Sequence, residues 1–120
     1  MSKILVVDDD HVSQRILGYT LKKAGHNIII AFNGQEALNQ LSQNMVDLVI
    51  TDLSMPGMDG FELITLLRSD VRYQNLPVVM LTSSGQDEDR EIARQKGITH
   101  FLTKPASSQE LLGIVKRLLP

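Results

Sequence analysis

The chain has 120 residues, of which 42% are hydrophobic and 22% charged, with a formal net charge of −2. Such a length fits one domain at residues 1–120 with a real core, and the near-neutral charge offers no basic stripe for nucleic acid. The lack of cysteine excludes disulfides and thiolate chemistry. Because no apolar run approaches the roughly 20 residues of a membrane span and none resembles a signal peptide, we expect a cytoplasmic domain.

Short apolar runs alternate with amphipathic stretches along the chain, as expected for successive βα units. The runs are continuously apolar, which is typical of parallel strands buried on both faces. The sequence therefore predicts an α/β domain whose parallel sheet is covered by helices on both sides. The expected strands are residues 3–7, 27–31, 46–51, 78–81 and 99–102. The expected helices are residues 11–24, 35–43, 61–69, 86–96 and a last one ending near residue 119.

Helical spacing predicts the apolar side of two helices. In the first helix this side comprises Val12, Ile16, Leu17, Leu21 and Ala24. In the third helix it comprises Leu63, Leu66 and Leu67. These residues are expected to pack against the sheet.

Local sequence signals predict where elements begin and end. Gly25 suits a left-handed helix stop, and Ser107 with Glu110 fits a capping box for the last helix. Asn33-Gly34 and Asp59-Gly60 are expected to form turns.

Four of the apolar runs end on residues that can handle a phosphoryl group. The first run leads into Asp8-Asp9-Asp10, the third into Asp52, the fourth into Thr82 and the fifth into Lys104. Because ligands in open α/β sheets bind outside the carboxyl ends of the strands, we expect these side chains at one edge. Asp10 is expected to be only a helix cap.

This combination favours phosphoryl transfer to an aspartate. Clustered carboxylates repel one another unless a cation intervenes, and Mg²⁺ needs only one or two carboxylates plus a phosphate oxygen. Asp52 is the best candidate nucleophile, because acidic residues are expected on one side of it and Thr82 and Lys104 on the other. Lys104 would neutralise charge on the phosphoryl group and Thr82 would donate a hydrogen bond to it.

The chain resembles the receiver domain of two-component response regulators over all 120 residues. The motifs that carry the resemblance are Val6-Val7-Asp8-Asp9, Asp52 with Met55-Pro56-Gly57-Met58-Asp59-Gly60, Leu81-Thr82-Ser83, and Phe101-Leu102-Thr103-Lys104-Pro105. Any one of them is weak evidence, but their order and separations together are highly specific.

The resemblance implies a flavodoxin-like, doubly wound fold with five strands in the order 2-1-3-4-5 and five helices. It also implies a Mg²⁺ site formed by Asp8, Asp9, Asp52 and the carbonyl of Ser54. Asp52 would be the phosphoacceptor and Lys104 its cationic partner. Thr82 and Phe101 would form the switch pair, and the bond before Pro105 would be cis.

The family also implies a signalling switch that catalyses its own phosphorylation and dephosphorylation. The phosphate would come from a sensor histidine kinase or a phosphotransfer protein, and the output would be a downstream protein target or a missing output domain. Ile98-Thr99-His100 and Ala106 depart from the subgroup that dimerises through its fourth and fifth helices, so we expect a monomer or weak dimer. Ser54 and Ser84 are expected to influence the acyl-phosphate lifetime.

Three alternatives remain open at the level of sequence. A haloacid-dehalogenase-like phosphatase would use Asp8 as nucleophile and Asp10 as acid, but only Glu110 follows Lys104 to supply that class's later acidic motif. A flavin- or nucleotide-binding module would need a glycine- or hydroxyl-rich turn after the first strand, where this chain is acidic. A degenerate receiver used only for protein contacts would lack site residues that are present here.

Overall fold

The computed structural model describes residues 2–83 and 85–120. Their centre is one parallel sheet of five strands in the order β2-β1-β3-β4-β5. The predicted order is therefore confirmed, with β3 at the middle of the sheet and β1 beside it. The strands are β1 (Lys3–Val7), β2 (Asn27–Ala31), β3 (Leu48–Thr51), β4 (Val78–Thr82) and β5 (His100–Thr103).

Five α-helices cover the two faces of this sheet, as predicted. On one face α1 and α5 contribute Leu21 and Ile114 to a core that includes Ile4 and Val6 of β1. On the other face α2 and α3 pack against the alternate β1 residues, and α4 packs Ala93 beside Phe101. The helices are α1 (His11–Lys23), α2 (Gly34–Gln43), α3 (Gly60–Arg68), α4 (Asp87–Lys96) and α5 (Ser108–Leu118).

The predicted inner side of α1 is partly wrong. Val12 and Ile16 are 61% and 62% exposed, whereas Gln14 and Gly18 are buried with Leu17 and Leu21. The buried stripe of α1 follows positions 14, 17, 18 and 21, so the helix presents a different face to the sheet from the one predicted. Leu66 of α3 is likewise 44% exposed, and Ile64 takes the buried position instead.

Both predicted turns are helix starts. Asn33 caps α2 by accepting a hydrogen bond from the Glu36 amide at 2.8 Å, so Gly34 is the first helical residue. Asp59 and Glu62 form a reciprocal capping box at the start of α3. Short polar side chains at these positions satisfy amides that have no partner within the helix.

Other element boundaries differ from the predicted ones by one or two residues. Strand β3 starts at Leu48 rather than residue 46, and β4 extends to Thr82. Gly25 has the predicted positive φ, 97°. Ser107 caps α5 through the Glu110 amide at 3.0 Å, which is the first half of the predicted capping box. A 3₁₀ helix at Val71–Tyr73 was not expected, and no described helix is long and apolar enough to cross a membrane.

Candidate functional site

The carboxyl ends of four strands bring the predicted polar residues together. Asp8 follows β1, Asp52 follows β3, Thr82 ends β4, and Lys104 follows β5. Hydrogen bonds between neighbouring strands hold these ends level: the Asp52 amide donates to the Val7 carbonyl at 2.9 Å, and the Lys104 amide donates to the Thr82 carbonyl at 2.9 Å. The shared edge expected from the sequence is therefore present.

Three carboxylates meet at this edge. One oxygen from each of Asp8, Asp9 and Asp52 lies within 4.8 Å of the others. Asp8 is 1% exposed, whereas Asp9 lies at the surface. Backbone amides orient the two inner side chains, since Asp10 N donates to Asp8 Oδ1 at 2.9 Å and Leu53 N donates to Asp52 Oδ1 at 2.7 Å. The second oxygens of these two side chains, Asp8 Oδ2 and Asp52 Oδ2, face the Lys104 ammonium.

Lys104 supplies a positive charge at this site. Its Nζ lies 2.7 Å from Asp8 Oδ2 and 3.6 Å from Asp52 Oδ2. The sequence suggested that this side chain would remain on the β5 side of Asp52, but its ammonium extends to Asp8 of β1. Burial lowers the pKa of Lys104, but the hydrogen bond to Asp8 and the charges of Asp52 and Asp8 together raise it above its usual value. The ammonium therefore stays charged at neutral pH.

The donor set fits a hard divalent cation. All three side chains offer carboxylate oxygens, and neither cysteine nor histidine belongs to the group. Oxygen ligands of this kind suit Mg²⁺, which binds a small number of carboxylates and retains water. Ser54, the predicted source of a carbonyl ligand, follows two positions after Asp52 with an exposed side chain. Its role as a ligand stays a prediction.

The expected switch residues lie beside the site. Thr82 is fully buried, and Phe101 is 9% exposed against Leu53 and Ala93. Arg90 of α4 places its guanidinium 4.9 Å from the centre of the Phe101 ring and donates to the Phe101 carbonyl at 3.3 Å. Phe101 is therefore packed inward in this structure, and switching by Thr82 and Phe101 stays a prediction.

The loop between β3 and α3 folds closely over Asp52. Gly60 N donates to the Leu53 carbonyl at 2.8 Å, and a Cβ at Gly60 would lie 2.5 Å from the Asp52 carbonyl oxygen. Glycine is therefore needed for this close approach. Met55 of the same loop belongs to the core and Met58 packs against it.

The bond between Lys104 and Pro105 is cis, as the resemblance implied.

The three histidines are not in the carboxylate group. His11 begins α1 and stacks on Phe32 with 4.5 Å between the ring centres, and His100 begins β5. His26 follows α1, beside Ser2. Ser84 lies outside the described residues.

Two residues of α1 near the site were missed by sequence reasoning. Gln14 is 3% exposed, and its Nε2 lies 3.0, 3.1 and 2.7 Å from the carbonyl oxygens of Val6, Asp8 and Ala31, which share its two N–H donors. Ser13 Oγ accepts a hydrogen bond from Lys104 Nζ at 3.1 Å. The available signal was the helical spacing of Gln14 with Leu17 and Leu21, which places an amide on the inner face.

Comparison with known proteins decides the family. The model of the response regulator receiver domain matches residues 4–116. The chain belongs to this family. It is therefore a receiver domain of the two-component type, and the predicted resemblance is confirmed.

Relatives of this receiver domain support the assignment over almost its whole length. An uncharacterized 14.6 kDa protein of Leptolyngbya boryana is 39% identical over 95% of this chain and 87% of its own. Protein PilG of Pseudomonas aeruginosa is 33% identical over 98% of this chain and 87% of its own. The structure of the chemotaxis protein CheY4 of Vibrio cholerae superposes with a TM-score of 0.93 at 34% identity, covering 99% of both chains.

These comparisons give no support to the phosphatase alternative. The structure adds that Asp10, its expected acid, caps α1 by accepting from the Val12 amide at 3.0 Å. The expectation that Asp10 is a helix cap is confirmed, and Asp52 remains the candidate nucleophile of the receiver domain.

Proposed function

We propose that this receiver domain takes a phosphoryl group onto Asp52 from a phosphohistidine on a sensor histidine kinase or a phosphotransfer protein. The observation that carries the proposal is the position of the Asp52 carboxylate, next to two further carboxylates and 3.6 Å from the Lys104 ammonium. Asp52 is also accessible, with 11% of its side chain exposed. A nucleophile, a cation and an acidic group for metal binding thus share one edge.

The chemistry is a transfer between two nucleophiles. An Asp52 carboxylate oxygen attacks phosphorus, the P–N bond to the donor imidazole breaks, and its electron pair returns to the ring nitrogen. Lys104 donates hydrogen bonds to the transferring oxygens and offsets their charge, which is the main way in which proteins accelerate phosphoryl transfer. Dephosphorylation is a separate hydrolysis: water attacks phosphorus, the P–O bond to Asp52 breaks, inorganic phosphate leaves, and the carboxylate is regenerated. Phosphorylation and dephosphorylation would thus both use the domain's own residues.

Asp8, Asp9 and Asp52, with the Ser54 carbonyl, would hold Mg²⁺. When bound, the ion would supply positive charge that neutralises phosphate oxygens. Asp8 is also paired with Lys104 at 2.7 Å. Asp9 is exposed and makes the group accessible from solvent.

A phosphoryl group on Asp52 would bias a protein-interaction surface formed by α4, β5 and α5. The added oxygens would attract the Thr82 hydroxyl, and the environment of Phe101 would change as Thr82 moves. Arg90 connects Phe101 to α4 through its ring and carbonyl contacts. A downstream target, or an output domain elsewhere in the same protein, would read the change.

The phosphodonor would approach along α1. Val12, Ile16 and Tyr19 are 61%, 62% and 67% exposed and follow one side of that helix, which begins beside Asp8 and Asp9. All charged side chains of α1 are basic. An apolar helix flanked by acidic residues would complement this surface.

The decisive experiment is phosphorylation of the wild type and of Asp52→Asn with a small donor such as phosphoramidate in the presence of Mg²⁺. We expect one acid- and base-labile phosphate in the wild type, located on Asp52 by mass spectrometry, and none in the variant. Asp47→Asn is a matched control, because Asp47 lies at the opposite end of β3 near Lys3. Phosphate on Asp8 would instead support the phosphatase alternative.

The residues flanking the site are expected to set the lifetime of the phosphorylated form. Ser54 is exposed two positions after Asp52, where a larger side chain would restrict the approach of water. Replacing Ser54 or Ser84 with a bulky or charged residue should therefore change the dephosphorylation rate. An unchanged rate in both variants would reject this expectation.

A further inference from the structure

Ser13 links Lys104 to the first turn of α1. Its half-buried hydroxyl accepts a hydrogen bond from Lys104 Nζ at 3.1 Å and donates one to Asp10 Oδ2 at 3.3 Å. Asp10 in turn caps α1 through the Val12 amide at 3.0 Å. The cap of the helix and the cation of the site therefore belong to one hydrogen-bonded chain.

This contact restricts where the ammonium can lie. Lys104 has three N–H donors on a flexible four-carbon stem. Asp8 takes one donor at 2.7 Å and Ser13 takes another at 3.1 Å. With two N–H groups fixed in this way, the third N–H is directed toward Asp52 Oδ2, which lies 3.6 Å from Nζ.

The direction of the Ser13 hydroxyl favours this arrangement. Because its proton is donated to Asp10, its lone pairs are available to Lys104, and a carboxylate one contact further away favours a positive charge. Alanine at this position would remove the acceptor and leave the stem freer to adopt other rotamers, which costs entropy when it is ordered again for reaction.

We propose that Ser13 is a positioning residue that holds Lys104 ready for phosphoryl transfer to Asp52. The inference rests on the proposed function, since it concerns the same reaction. Ser13 does not touch the reacting atoms and acts only through Lys104. Its contribution is a third contact that fixes the ammonium, in addition to the carboxylates of Asp8 and Asp52.

The test measures the initial rate of Asp52 phosphorylation by phosphoramidate at saturating Mg²⁺, which avoids any effect on docking of a protein donor. We expect Ser13→Ala to be slower by about three- to tenfold, the effect of one hydrogen bond to a charged group in a partly solvated site. Ser13→Thr keeps the hydroxyl and should restore most of the rate. Ser42→Ala is the matched control, since Ser42 is a helical serine of α2 whose hydroxyl donates to the Asn39 carbonyl, away from the site.

A second measurement separates positioning from a general loss of structure. Carbon-13 relaxation at Cε of Lys104 should show a lower order parameter in Ser13→Ala than in the wild type or in Ser42→Ala. The proposal requires both the slower transfer and the increased mobility of Lys104, and it is overturned if either is missing. If the wild type carries no phosphate on Asp52, the proposed function itself fails, which is a different and recognisable result.

Discussion

Replacing Gly60 with alanine tests how tightly the loop after β3 is packed on Asp52. The added Cβ would lie 2.5 Å from the Asp52 carbonyl oxygen, 2.9 Å from Leu53 Cα and 2.9 Å from Met80 Cε. Met80 can adjust its side chain, but the two backbone atoms cannot move without shifting the strand end that carries Asp52. Overpacking of this kind costs about 1–3 kcal/mol. Alanine would regain at most about 1 kcal/mol of helix propensity, and less at the first residue of α3.

We therefore expect Gly60→Ala to lower the free energy of unfolding by about 1–2 kcal/mol, or Tm by about 4–10 °C. Gly113 provides the matched control, because it lies in α5 with no atom within 4 Å of its hypothetical Cβ. Gly113→Ala should raise stability by up to about 1 kcal/mol. Denaturant titration followed by circular dichroism measures both variants. Equal stability of Gly60→Ala and Gly113→Ala would refute the claim that the loop is constrained by its approach to Asp52.

Three further predictions concern the surroundings of the site. Gln14→Met removes the two N–H donors shared by three carbonyl oxygens, but it also removes a buried Oε1 that has no partner among the described residues. It should therefore destabilise the fold by about 1–2 kcal/mol in denaturant titration. A loss below about 0.5 kcal/mol, the size of a surface substitution, would contradict the buried role of Gln14. Gly85→Ala would bring a Cβ within 2.7 Å of the Phe101 ring, so the ring resonances of Phe101 should shift in NMR spectra; unchanged shifts would show that the ring already has room. Asp9→Ala should weaken Mg²⁺ binding in calorimetry, and equal affinity would remove Asp9 from the metal site.

The edge that carries the site could be predicted from the sequence because it follows from topology. Parallel strands all present their carboxyl ends at one side of the sheet, so residues that directly follow the strands have little freedom to diverge. Asp8 and Asp52 needed only the correct recognition of two apolar runs. An error of two residues at the start of β3 did no harm, because the end of the strand was assigned correctly.

The orientation of α1 could not be obtained in the same way. Val12 and Ile16 share helical spacing with buried residues, yet both are more than 60% exposed. Counting apolar residues overlooked Gln14, whose buried amide contacts carbonyl oxygens at the ends of β1 and β2. A polar residue on an inner face is recognised only when its partners are known.

The path of a long side chain also escapes sequence analysis. Lys104 follows β5, but its ammonium ends 2.7 Å from Asp8, on the far side of Asp52. A lysine stem can span neighbouring strands, and its end point depends on the charges and hydroxyls that surround it. Ser13 is one of these groups, and nothing in its sequence position alone indicates it.

The separation of Lys104 from Asp8 has a consequence for biosynthesis. The two residues are 96 positions apart, and a ribosome delivers the amino-terminal part of a domain first. A nascent chain whose β1 and β3 have left the ribosome thus carries the three carboxylates before Lys104 has been synthesised. Their mutual repulsion opposes closure of that edge until a cation lies among them. The end of the last strand therefore supplies the domain's own cation for this edge, and a partly translated chain lacks the lysine of the finished site.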